Sequence, residues 1–139
     1  MKTNTIILAL LFLSISITAG AQGTVYNFVK GYGQGLGYSI KGEYHCNLKQ
    51  GEACTQKLTF YKGSDYDVLA FSEDGDVQDI DVKILTSYNT TYVEDNSAKD
   101  YAEVTFSPSF TRSLTIRVKN YSSNTPYYAS KIYFIVFYK

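Results

Sequence analysis

Five carboxylates fall between positions 73 and 81: Glu73, Asp74, Asp76, Asp79 and Asp81. Two chemistries use such a set. A calcium ion takes several hard oxygens from a flexible loop, and Gly75 lies in the middle of this one. The spacing is not that of a D-x-D-x-D-G loop with its closing Glu, so the calcium ligand set is only partly present. Two of the same carboxyls facing a sugar could act as the acid and base of a small secreted hydrolase. A solvated turn running into the wet face of a strand accounts for all five with neither chemistry. Calcium is therefore the one candidate ion, and no other cofactor is expected.

Other side chains with chemical potential are few. Cys46 and Cys54 are the two cysteines, and an even pair in a small exported domain reads as a disulfide. His45, the sole histidine, abuts Cys46 on the wet side of its strand, and the three make a poor zinc set. No G-x-S-x-G elbow is present to present a serine nucleophile. No residues are assigned a catalytic role. Aromatic rings are abundant, with 14 Tyr and 8 Phe but no Trp. Tyr121, Tyr127 and Tyr128 cluster around a late loop. With Tyr32 and Tyr38 they are candidates for a platform that binds a glycan or a protein, since loops at the end of a scaffold commonly carry binding. Packing at sheet edges would use the same rings.

The start of the chain bears on where such chemistry takes place. Lys2 precedes an apolar run, Ile6 to Leu13, and a small-residue site follows at Ala19-Gly20-Ala21. This is the pattern of a signal peptide over 1–21, cleaved to leave a mature domain of 22–139. The expected location is the bacterial periplasm or the extracellular space. Basic and acidic residues balance at 13 each, which offers no attraction to nucleic acid. No second apolar run is long enough to span a membrane.

The elements that position these residues read as strands. Apolar and polar residues alternate with period two, most cleanly over Asp79-Ile80-Asp81-Val82-Lys83-Ile84, where the isoleucines and valine face in. Tyr66, Val68 and Ala70 form one face of a strand, with Leu69 and Phe71 on the other. The last strand, Tyr128 to Tyr138, is apolar on both faces near its end and is expected mid-sheet or covered on both sides. Thr24 to Lys30 reads as a first strand. The alternating glycines from Gly31 to Gly37 read as a loop or bulged crossing, and no segment carries a helical stripe. Asn120 to Pro126 reads as a loop. The sum is an all-β, antiparallel sandwich of about eight or nine strands in a single domain.

From Lys62 onward the order of motifs resembles the bacterial pre-peptidase C-terminal domain. The residues that carry the resemblance are Gly63-Ser64-Asp65-Tyr66, Asp76 through Asp79-Ile80-Asp81-Val82, Phe106-Ser107-Pro108, and Leu114-Thr115-Ile116-Arg117-Val118-Lys119-Asn120 before a Tyr-rich closing strand. The resemblance implies a small jelly-roll-like β-sandwich of the kind appended to secreted proteases and other exported enzymes. The expected function is an exported, non-enzymatic binding or accessory module that contacts a protein or glycan through its end loops. The alternatives are a small secreted hydrolase with paired carboxylates, or a periplasmic inhibitor or structural partner protein.

Overall fold

The computed structural model describes residues 23–139, so the expected signal peptide over 1–21 lies outside the described residues. One helix and eight strands follow in order: α1 (Thr24–Gly35), β1 (Ser39–Leu48), β2 (Ala53–Phe60), β3 (Tyr66–Ser72), β4 (Val77–Leu85), β5 (Thr91–Asp95), β6 (Tyr101–Phe106), β7 (Arg112–Ser123) and β8 (Ser130–Tyr138). The strands form two four-stranded antiparallel sheets, ordered β1-β8-β3-β6 and β2-β7-β4-β5. No helix of the described residues is long and apolar enough to cross a membrane.

The sandwich core is the direct product of the period-two pattern. Ile80, Val82 and Ile84 of β4 and Leu114, Ile116 and Val118 of β7 turn inward onto Val68, Ala70, Ile132, Phe134 and Val136 of the first sheet. The opposite faces of β3 and β8 are also dry, because Leu69, Phe71, Ile135 and Phe137 pack beneath α1 with Val29. This explains why β8 is apolar on both sides: it lies between β1 and β3, with the second sheet on one face and the helix on the other.

That helix corrects the expectation of a strand over Thr24 to Lys30 and a glycine loop to Gly37. Val25, Val29 and Gly33 recur every fourth residue and so share the face turned to the sheet. A Cβ at Gly33 would stand 2.4 Å from Cε1 of Phe137, so the missing side chain is what lets the helix sit down. Its first turn is held from outside: the Glu73 carboxylate accepts the N–H groups of Gly23 (2.7 Å) and Tyr26 (2.8 Å). Three glycines within the helix, Gly31, Gly33 and Gly35, weigh against it by up to about 1 kcal/mol each. Burial of the Val29 face on the sheet outweighs them, a tertiary effect invisible to local propensity.

A second correction concerns Asn120, expected to open a loop. β7 continues to Ser123, with register shifts against β4 at Val77/Asp79 and Asp79/Ile80. Asn120 is buried, and its Nδ2 donates to the Leu48 carbonyl (3.1 Å) and the Ser123 hydroxyl (2.8 Å). Cys46 of β1 and Cys54 of β2 form the expected disulfide, with Cα atoms 6.6 Å apart. Because β1 and β2 belong to different sheets, the bond staples the two layers together at one edge.

Candidate functional site

The acidic cluster is divided between a turn and a strand face. Glu73, Asp74 and Asp76 lie in the turn from β3 to β4, where each carboxylate accepts a hydrogen bond from the protein itself, while the second oxygen of Asp76 is buried without a partner. Glu73 holds the start of α1. Asp74 accepts from the Asp76 N–H (3.0 Å) and from the Ser130 hydroxyl (2.9 Å). Asp76 accepts the Thr125 N–H (2.9 Å), and its carbonyl accepts that of Asn124 (2.8 Å), which ties this turn to the loop carrying Tyr127 and Tyr128. Among the described residues no three His, Cys, Asp or Glu side chains converge on a point where one metal ion could sit.

Asp79 and Asp81 instead stand on the outer face of β4, because Ile80 and Val82 point into the core. There they line a shallow groove of about 460 Å³ with Lys83, Arg117, Lys119 and Tyr121, closed at one side by Asn96 and Ala98 from the segment between β5 and β6. The ladder sets one pair of opposite charges side by side, Asp81 facing Lys119, and one pair of like charges, Lys83 facing Arg117, across β4 and β7. Lys83 also pairs with Glu94 at 3.1 Å, and the Lys119 ammonium stands 5.0 Å from the Tyr121 ring centre. Loss of water contact holds the Asp79 carboxyl above its ordinary value, opposed by a hydrogen bond from the Lys99 backbone and reinforced by the charge of Asp95. Asp81 is raised for the same first reason, with the Asp79 charge next. One oxygen of Asp79 is buried without a hydrogen-bond partner.

The five candidate tyrosines fall into two groups. Tyr121 borders the groove, while Tyr127 and Tyr128 stand exposed at 86% and 73% on the adjoining rim. Tyr32 and Tyr38 lie on the far side of the molecule with α1, where Tyr32 stacks on Phe28 (6.0 Å between ring centres) and Tyr38 packs edge-on to Phe137 (6.2 Å). His45 is exposed on the outer face of the first sheet beside Tyr133, 6.1 Å between ring centres.

The carboxyls that do share a proton-accepting environment are ones the sequence does not single out. Asp67 of β3 and Glu103 of β6 are diagonal neighbours on the helix-covered face of the first sheet, since Asp67 pairs with Thr105 and Leu69 with Glu103. Asp67 is 2% exposed, and burial followed by the charge of Glu103 pushes its pKa well above the carboxylate range. Burial raises Glu103 as well. In the sequence Asp67 is a lone acid on the face that carries Leu69 and Phe71; its partner Glu103 comes from elsewhere in the chain. Equally unmarked in the sequence are Tyr61, Phe110 and Arg112, whose loops meet only through the topology.

No protein-family model and no curated protein matches the chain in sequence. Solved structures are similar in shape. The pre-peptidase C-terminal domain of a collagenase from Bacillus anthracis superimposes with a TM-score of 0.53 at 11% identity, covering 70% of this chain and 89% of that one. PliG of Aeromonas hydrophila, a periplasmic inhibitor of g-type lysozyme, superimposes with a TM-score of 0.52 at 6% identity, covering 73% of this chain and 88% of that one. At such identities the likeness is one of fold: this chain is a two-layer antiparallel β-sandwich similar in architecture to both.

Proposed function

We propose that this chain is an exported, non-enzymatic binding module whose ligand, a glycan, lies along the groove on the outer face of the β2-β7-β4-β5 sheet. The observation that carries this reading is a carboxylate set beside a cation in the groove: Asp81 of β4 faces Lys119 of β7, with Asp79 at one end, Lys83 and Arg117 at the other, and the Tyr121 ring at the margin. A sugar diol donates and accepts at adjacent oxygens, so a carboxylate beside a cation matches it, and the apolar face of the sugar rests on a ring. Tyr127 and Tyr128 extend the contact surface along the rim. A binding role accords with the two structures of similar fold, one a domain of a collagenase and the other an inhibitor of a lysozyme. Export accords with the leader-like residues 1–21 and with the Cys46–Cys54 bond, which oxidising compartments favour.

A glycan array with the mature protein, followed by calorimetric titration of the best hit, tests the proposal. D81N, K119A and Y121A are each expected to weaken binding by about tenfold, the worth of one good polar or stacking contact, while the circular dichroism spectrum stays unchanged. An empty array, or variants with full affinity, would overturn it. Cleavage of the bound glycan, lost on D79N, would replace it with the paired-carboxylate hydrolase.

A further inference from the structure

The end of the sandwich away from Tyr127 and Tyr128 is formed by three loops of five residues each: 61–65, 86–90 and 107–111. Three large rings stand out from it, Tyr61 at 54% exposure, Phe110 at 55% and Tyr88 at 87%. Cations accompany two of them. The Arg112 guanidinium lies 4.7 Å from the centre of Phe110 and 5.1 Å from that of Tyr92, and the Lys41 ammonium lies 5.0 Å from Tyr61. The Lys62 N–H donates to the Thr111 hydroxyl at 3.1 Å, which brings the Tyr61 loop and the Phe110 loop together.

Two features mark this end as built to hold positive charge. Lys41 is the extra residue of a bulge in β1, where the register against β8 shifts between Ile40 and Gly42, and such bulges re-aim a side chain. Here it reaches across to the rings of Phe60 and Tyr61 at the end of β2, in the other sheet. The second feature is the lack of compensating carboxylates. The three loops contain one acid, Asp65, and its carboxylate accepts the Ser107 hydroxyl. Among the described residues Lys41, Lys62 and Arg112 form no ion pair. A guanidinium stacked on rings keeps its in-plane N–H groups available for a bidentate carboxylate.

We infer that this aromatic and cationic rim is a second binding site, distinct from the groove, and that it takes an acidic polysaccharide whose repeating unit is a uronic acid. A uronate carries a carboxylate and an apolar C–H face on one ring, which matches a cation and an aromatic ring about 5 Å apart. An Asp- or Glu-rich peptide brings the charge without the flat face. A folded protein partner would require about 20–30 residues from each side, more than three such loops supply.

Affinity electrophoresis in gels containing polygalacturonate, with parallel gels of dextran and of poly-L-glutamate, tests the inference. The protein is expected to be retarded by polygalacturonate alone, and the retardation is expected to fade in 0.5 M salt, where the Debye length is below about 8 Å. R112Q, K62E, Y61A and F110A are each expected to weaken it by about fivefold to tenfold, while D81N in the groove leaves it unchanged. K62E and F110A alter exposed loop residues, so they keep the test interpretable if R112Q disturbs β7. Equal retardation by dextran, equal retardation by poly-L-glutamate, no retardation, or loss on D81N would each overturn the proposal. Failure of the groove to bind any glycan would leave the rim result standing.

Discussion

At the residue scale, the most consequential side chain is Asp67, a buried acid beside a second acid. Its carboxyl is raised by burial first and by Glu103 second, so the folded state favours the protonated form. The sign follows directly. A carboxyl whose folded pKa lies above its unfolded value contributes stability that is fully present below about pH 4, and loses it as pH rises through the folded pKa. Glu103 is shifted in the same direction and adds to the trend. Tyr38 faces the pair from the start of β1; burial raises its hydroxyl first, and Asp67, Asp65 and Glu103 raise it further. Lys139 is occupied with the Leu36 carbonyl at 3.2 Å and the face of Tyr38. Asp67→Asn keeps the shape and removes the ionisation. It is expected to leave the melting temperature near the parent value at pH 4 and to raise it by roughly 3–6 °C at pH 8, read from paired thermal melts. Parallel pH profiles for parent and variant would refute the account. The sequence shows only a lone acid on the face it shares with Leu69 and Phe71; its neighbour Glu103 comes from β6, distant in the chain.

At the scale of elements, α1 decides how much of the first sheet is dry. Without it Leu69, Phe71, Ile135 and Phe137 would form an exposed apolar face. Gly33 is the contact that sets its height, with Phe137 where a side chain would go. Phe137 is itself fully buried in the cluster beneath the helix, so its ring is packed rather than free in solvent. Gly33→Val is therefore expected to lift the helix rather than move the ring, at a cost of about 1–3 kcal/mol. The variant should unfold at lower urea and bind a hydrophobic dye in native buffer, with its strand circular dichroism retained. An unchanged urea midpoint would show that the helix is not seated as described. The strands themselves are legible from alternation, and β3, β4 and β8 place their faces as the pattern requires. The helix is not, since the three glycines in its last five residues argue locally against it, and the sheet that stabilises it is assembled from β3 and β8, distant in sequence.

For the molecule as a whole, the two layers are held by an apolar centre and by one covalent tie between them. Serines in place of Cys46 and Cys54 are expected to lower stability by about 2–3 kcal/mol, the entropy of closing a short loop, measured by urea unfolding with and without the bond. Equal midpoints would mean that the core alone sets the spacing of the sheets. The same two-layer arrangement distributes the candidate surfaces. It sends Asp79 and Asp81 to an outer face with Tyr121, leaves Glu73, Asp74 and Asp76 bonded within a turn, and carries Tyr32 and Tyr38 to the side of the helix. What the amino-acid order determined by itself is which residues alternate, and hence an antiparallel sandwich with Ile80, Val82 and Ile84 inside, together with the pairing of the only two cysteines. Those are short-range matters, written in period and composition. Which carboxyls lie together, which rings share a rim, and where a glycine-rich segment folds as a helix were decided only by the tertiary structure. Each depends on surfaces brought together from distant parts of the chain, and burial against such a surface can outweigh any local preference.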